Sequence, residues 1–323
     1  MSDERSKPRR LRLDAPAVAC FGEILWDCLP RGLFLGGAPL NVAYHLGQQQ
    51  LRVLPVTAVG RDFLGDEALR RVAAWNVDGR FVARVPGRPT GHVRASLDRA
   101  GVADYEIARD VAWDRIPIGP ALLRIDPAPA AVVFGTLALR SPANRRTLAS
   151  LLTAWPNALP VVDLNFRPPF DSATAVNFAL RHARLVKLNE HELAQLAGSW
   201  RRKEPASLER GARRLSAHHR ICRICVTAGD RGAGLLWDGE WFWEDARPVQ
   251  VRDTVGAGDA FLAGLLGALL ARSASPHDAL AQACRLGEFV ASQDGATPAY
   301  EFYDVIDPTE RAGPSLSVEA ESA

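Results

Sequence analysis

Along most of the chain, short apolar runs alternate with stretches of helical spacing. Ala17–Ile24, Val53–Val59, Ala131–Gly135, Leu159–Leu164, Leu185–Leu188 and Ile221–Thr227 are apolar runs of strand length, the signature of strands covered on both faces. Between them, period-3.6 spacing predicts helices over Leu40–Gln50, Glu67–Trp75, Ala143–Ala154, Glu190–Ala197 and Ser207–Ala217. The last third is mostly helical in pattern, with Ala257–Ala271 and His277–Ser292. Repeated strand–helix–strand succession predicts an α/β fold, a doubly wound and mostly parallel sheet flanked by helices.

One region departs from this pattern. Between Phe81 and Ile107, His92–Leu97 and Tyr105–Ile107 alternate apolar and polar residues with little helical spacing between them. That predicts a small antiparallel β lid, an insertion that could cover a site or join two copies in a homodimer. The expected domain therefore runs over 16–307, with the lid at about 81–110 plus a segment near 25–36. Residues 1–15 and 308–323 read as disordered tails.

Composition narrows the function. With 39 Lys and Arg against 37 Asp and Glu, the 323-residue chain carries a formal charge of +2. Such a balance offers no electrostatic footprint for nucleic acid or an acidic membrane. No apolar run is long enough to span a bilayer. Five cysteines and a charged, non-apolar N-terminus predict a reducing, cytoplasmic setting. Cys222 and Cys225 fall three apart in an expected strand, which reads as two buried thiols on opposite faces rather than a metal pair. Lysine occurs only at 7, 187 and 203, so a phosphate-binding ammonium has few sources.

The strongest chemical signal is Asp253-Thr254-Val255-Gly256-Ala257-Gly258-Asp259. The extended-looking Val249–Val251, a glycine-rich turn and a helix start together predict an anion site, where backbone N–H groups and the helix dipole meet negative charge. Asp259 alone would be a helix-start stabiliser. Two flanking glycines, a threonine and a second aspartate exceed what a cap needs. The helix N-terminus is expected to hold Asp259 ionised and make it a weak base. No Gly-Lys dipeptide occurs, which excludes a Walker loop. Phe261 occupies the third-glycine position, which excludes the dinucleotide fingerprint of a nicotinamide oxidoreductase.

Other candidates are weaker singly. Gly36-Gly37 ahead of Asn41 can present backbone amides and a side-chain amide to hydroxyls, although alone it reads as a turn before a helix. Strand alternation puts Asp163, Asn165 and Arg167 on one face, with Arg167 able to hold a phosphate or substrate group. Lys187–Glu192 and Val226–Ala233 each leave a strand for a turn.

With both glycine segments in order, the chain resembles the PfkB (ribokinase-like) carbohydrate kinases over nearly its whole length. Gly36–Ala43 resembles the family's N-terminal signature and Asp253–Asp259 its C-terminal one. The resemblance implies a ribokinase-like fold and ATP-dependent phosphorylation of a sugar hydroxyl. It implies Asp259 as catalytic base, with an anion hole from Gly256, Ala257 and Gly258. It implies Asp27, Gly36, Gly37, Asn41 and Arg167 as the sugar site. Asn189, Thr227, Gly229 and Gly232, with Gly258, would follow ATP. Glu192 would hold Mg²⁺ through water, and Asp253, Val255 and Gly295 would meet a monovalent cation such as K⁺. Gly22-Glu23, Gly37-Ala38-Pro39, Tyr105-Glu106-Ile107, Val111–Asp114 and Asp163–Pro169 resemble the bacterial fructokinase branch. That branch implies D-fructose as acceptor. Leu40 replaces the family's usual Ala, which leaves open 2-keto-3-deoxygluconate, ribose or a nucleoside. A catalytically silent sugar-binding protein on the same fold is the alternative of another class.

Overall fold

A computed structural model describes residues 15–29, 32–75, 77–97, 103–198 and 204–306. Residues 1–14 and 308–323 of the expected tails lie outside the described residues. The first half of the chain forms β1 (Ala17–Phe21), β2 (Leu25–Leu29), β3 (Gly32–Gly36), α1 (Ala38–Gln48), β4 (Arg52–Gly60), α2 (Phe63–Ala73), β5 (Val82–Val85), β6 (Gly91–Leu97) and β7 (Ala103–Ile107). There follow α3 (Pro120–Leu123), β8 (Ala131–Gly135), α4 (Pro142–Ala154), β9 (Leu159–Asp163), α5 (Ala173–His182), β10 (Leu185–Asn189) and α6 (Glu190–Ala197). The last part holds α7 (Pro205–His219), β11 (Arg223–Thr227), β12 (Ala233–Trp237), β13 (Glu240–Glu244), α8 (Ala257–Ala271), α9 (Pro276–Ala291) and α10 (Phe302–Ile306).

Nine strands form one sheet in the order β13-β12-β11-β10-β9-β8-β1-β4-β5. All neighbours from β5 to β11 are parallel, and β12 and β13 add an antiparallel edge. Apolar alternation covers both faces. Along β1, Ala17, Ala19 and Phe21 join the core under α4 to α7, while Val18 and Cys20 join the core under α1, α8 and α9. Each fully buried Leu or Phe contributes roughly 1.5–3 kcal/mol. From β1 the chain winds outward to β4 and β5, then returns to lay β8 on the other side. The sheet order therefore reverses between β1 and β8, and ligands of open α/β sheets bind beyond the strand C-termini at such a point.

The lid is a separate four-stranded sheet, β3-β2-β6-β7. Two antiparallel pairs, β2–β3 and β6–β7, are joined through a parallel β2–β6 pair. Val82–Val85, within the stretch expected to build the lid, pairs instead with β4 in the large sheet.

Four local expectations change. The chain turns at Gly22, so the first strand ends at Phe21 and Leu25 starts a lid strand. Val249–Val251 forms no strand; it is a loop in which both valines are exposed. Strand β9 stops at Asp163 and Asn165 turns to a positive φ of 41°, so the alternation that was to align Asp163, Asn165 and Arg167 does not continue. Cys225 is buried but Cys222 is exposed. The strand begins at Arg223, and Cys222 sits at the turn where its carbonyl accepts from Asp238 N.

Candidate active site

A cavity of about 760 Å³ opens beyond the C-terminal ends of β1, β8, β9 and β10. Its walls include Glu23 after β1, Gly135 and Thr136 at the end of β8, Asn165 after β9 and Lys187 on β10. The lid contributes Asp27, Phe34 and Ile107. The opposite wall is the start of α8, with Gly256, Gly258 and Asp259. The volume suits a small ligand and part of a second one.

Helix α8 begins at Gly256 with a left-handed backbone, φ 78°, and no side-chain cap. Its first N–H groups therefore have no partner from a capping side chain, the arrangement that receives anions. Asp259 lies in the first turn, 7% exposed. Its Oδ2 accepts a hydrogen bond of 2.8 Å from Asn41 Nδ2, across 218 residues of sequence. The two glycine-rich segments thus meet at one carboxylate. Burial pushes the Asp259 carboxyl up to about 7, Asp163 pushes it the same way, and Lys187, Asn41 and Arg167 oppose this. The weak, ionised acid expected from the helix N-terminus is corrected here: loss of solvent outweighs the dipole.

Asp27 lines the cavity from β2, and burial raises its carboxyl to about 6 against the charge of Arg167. Gly37, Arg167, Asp253, Val255 and Gly295 also line the cavity. Gly36 stands behind Asp27, where a Cβ would lie 2.8 Å from its Oδ2. Ala257 opens α8 and donates its N–H to Thr254 O.

A profile of the pfkB family carbohydrate kinases matches residues 18–301. The chain belongs to this family. The fructokinase of Klebsiella pneumoniae is 30% identical over 302 residues, covering 88% of this chain and 95% of that protein. A fructokinase of Salmonella typhimurium is 28% identical over 304 residues, 88% of this chain and 96% of that one. The crystal structure of a fructokinase from Vibrio cholerae O395, in a form with fructose, ADP and calcium ion bound, superposes with a TM-score of 0.76 at 24% identity. That match covers 90% of this chain and 99% of the other, and it carries the fold. The protein is a sugar phosphotransferase with a ribokinase-like fold.

Not every expected residue of this pfkB kinase reaches the cavity. Asn189, Thr227, Gly229, Gly232 and Glu192 sit on an adjoining shelf at the ends of β10 and β11, where Asn189 and Thr227 are register partners. Asn189 caps α6, its Oδ1 accepting from His191 N and Glu192 N at 2.9 Å. Glu192 answers with Oε2 on Asn189 N at 2.8 Å and Oε1 on Phe166 N at 2.7 Å. His191 is exposed on the helix surface.

Two buried charged residues of the cavity wall gave little sign of themselves in the sequence. Lys187 Nζ lies 2.8 Å from Asp163 Oδ2, with both side chains buried. Burial opposes the ammonium charge, but Asp163, Asp259 and Glu192 together hold its pKa above the ordinary value. A Cβ at position 258 would lie 2.8 Å from that Nζ, so Gly258 lets the ammonium approach the start of α8. A buried cation thus stands on β10 beside the start of α8. Glu23 is the second: it is 4% exposed, its Oε1 accepts from Ala38 N, and its Oε2 is buried without a hydrogen-bond partner.

Proposed function

We propose that this kinase transfers the γ-phosphate of ATP to D-fructose, giving fructose 6-phosphate and ADP. The observation that carries this reading is the Asn41–Asp259 hydrogen bond, which joins an amide suited to sugar hydroxyls to a buried carboxyl with a pKa of about 7. A group titrating near the working pH is well matched to general-base catalysis. The fructokinases of K. pneumoniae and S. typhimurium, similar over nearly their whole length, support fructose as the acceptor.

Asp259 accepts the proton of the attacking hydroxyl. The α8 N-terminus, with Gly256, Ala257 and Gly258, receives negative charge from the transferring group. Lys187 adds a fixed positive charge beside it. Asp27, Gly36, Gly37, Asn41 and Arg167 hold the sugar. Asn189, Thr227, Gly229 and Gly232 line the path of the nucleotide.

Among the described residues, no group of three His, Cys, Asp or Glu side chains gathers to cage a metal. Both Glu192 oxygens already accept backbone N–H groups. That donor set fits an Mg²⁺ held chiefly by nucleotide phosphates and water, with Glu192 reaching it through water. Bound there, Mg²⁺ would spread the phosphate charge. Asp253, Val255 and Gly295, which all line the cavity, are assigned to K⁺. The reading includes a homodimer through the lid, supported by Leu33, which β3 leaves exposed next to the cavity-lining Phe34. It also includes a cytoplasmic location; no helix among the described residues is long and apolar enough to cross a membrane.

The test is an ADP-release assay with ATP, Mg²⁺ and a panel of fructose, ribose, 2-keto-3-deoxygluconate and nucleosides, with and without K⁺. Fructose is expected to give the highest kcat/KM. If fructose is inert and another acceptor turns over, the substrate assignment falls while the kinase chemistry stands.

A further inference from the structure

A second depression, of about 370 Å³, shares no lining residue with the catalytic cavity. Arg88, Arg109, Arg115 and Arg140 line it together with Asp110, Asp114, Ser141 and Phe170. Four arginines against two aspartates leave a surplus of two positive charges.

The pairing inside this cluster is uneven. Asp110 pairs with Arg88. Asp114 takes Arg140 in a fork, Nε at 2.8 Å and Nη2 at 2.9 Å. Arg140 Nη2 also donates to Ala108 O at 2.7 Å, but its Nη1 is buried with no hydrogen-bond partner. Among the described residues, no ion pair engages Arg109 or Arg115. Arg109 and Arg140 nonetheless converge on one ring, their guanidinium carbons 5.0 and 4.5 Å from the Phe170 centroid. Trp113 stacks under Arg140 at 4.2 Å and fixes it. Two guanidinium groups thus meet at one ring, and of the two only Arg140 has a carboxylate partner among the described residues.

We propose that this depression is a phosphate-binding site, distinct from the catalytic one, for inorganic phosphate or a small phosphomonoester. Planar guanidinium forks match phosphate oxygens in geometry as well as charge. Arg109 and Arg115, which line the depression without an ion pair among the described residues, supply donors, and Arg140, held by Asp114 and Trp113, frames them. Ser141 caps α4 by accepting from Asn144 N, so its hydroxyl hydrogen remains available, and the helix dipole adds to the field. The site also adjoins the catalytic cavity along three segments. Ile107, Leu137 and Arg167 line the cavity, while Arg109, Arg140 and Phe170, two or three residues further on, line the depression. A phosphate here tethers three strips of the catalytic wall.

The experiment is calorimetric titration of the full chain with inorganic phosphate and, separately, with glycerol 3-phosphate. Arg109→Gln/Arg115→Gln is the test variant, because neither residue lines the catalytic cavity or holds an ion pair. Losing two charged donors should weaken phosphate binding by about tenfold or more, with turnover in phosphate-free buffer unchanged. Arg109→Lys/Arg115→Lys should retain part of the affinity. Tighter binding of glycerol 3-phosphate would identify a phosphomonoester as the ligand; equal binding would identify free phosphate. Unchanged affinity in the Gln variant, or no binding to the wild-type chain, would overturn the proposal. Binding is read without turnover, so the result stands apart from the identity of the sugar acceptor.

Discussion

Helices α6 and α8 both start at the C-terminal edge of the large sheet, and both carry an acid at their third residue. In α6 that acid is Glu192, and in α8 it is Asp259. Glu192 closes its helix: it accepts from Asn189 N and Phe166 N, while Asn189 answers with two bonds of its own. Asp259 leaves its helix open. Its hydrogen bond goes sideways to Asn41, and the start of the helix at Gly256 has no side-chain cap. A helix start that satisfies itself has little left for a ligand, whereas an open one presents unpaired donors to the cavity. The helix dipole does not separate the two acids, because burial raises both carboxyls. What separates them is which partners their oxygens have taken.

The sharpest test of that contrast is Asp259→Asn. Turnover should fall at least about 10²-fold, since a general base supplies roughly 10²–10⁴. Acceptor binding, measured by calorimetry, should survive because Asn41 and Asp27 remain. Near-normal turnover would make Asp259 as structural as Glu192.

Next in size is Lys187→Met. It strands the Asp163 carboxylate in the interior, which costs about 3–5 kcal/mol in a buried pair and should appear as a lowered denaturation midpoint. Adding Asp163→Asn should recover most of that stability, since no buried charge is left unpaired. Turnover should not recover, because the positive charge beside α8 is gone. Recovery of both would reduce the pair to a structural one.

The difference between α6 and α8 was only half legible in the sequence. The glycines and Asp259 announced an anion site, and the alternating runs announced the sheet. The Asp163–Lys187 pair gave no local signal. Its partners are 24 residues apart and meet because β9 and β10 set Lys187 opposite Asp163 in register. Asp259's raised carboxyl was equally hidden, since burial is a property of the assembled walls. Other elements do carry local signals. Asp238-Gly239 between two alternating runs marks the β12–β13 hairpin, with φ of 49° and 99°. Ser172 is the N-cap of α5.

The carboxyl near pH 7 makes the contrast visible in a pH profile. Asp259 must be ionised to accept a proton, so kcat/KM should fall about tenfold per unit below pH about 7. Protonation of Asp27 below about 6 should steepen the fall. Stability runs the other way. A raised carboxyl favours the protonated folded form, so its ionisation penalty grows as pH rises from the ordinary carboxylate range to about 7. Asp259→Asn should therefore gain more stability at pH 8 than at pH 5, measured by thermal unfolding. A profile flat from pH 8 to 5 would mean that Asp259 titrates as an ordinary surface acid.

The smallest expected effect falls on the closed helix. Asn189→Ala removes the side chain that accepts from His191 N and Glu192 N, and loss of such a cap costs about 1 kcal/mol. Glu192 would keep its bonds to the backbone N–H groups of residue 189 and Phe166, so the start of α6 should loosen rather than unravel. In register, Asn189 stands beside Thr227 on the shelf assigned to the nucleotide. If that shelf carries ATP, the KM for ATP should rise several-fold while the KM for the sugar holds, because no sugar-side residue touches the cap. A change confined to stability, with both KM values unmoved, would leave α6 a self-satisfied structural helix and move the nucleotide path closer to α8.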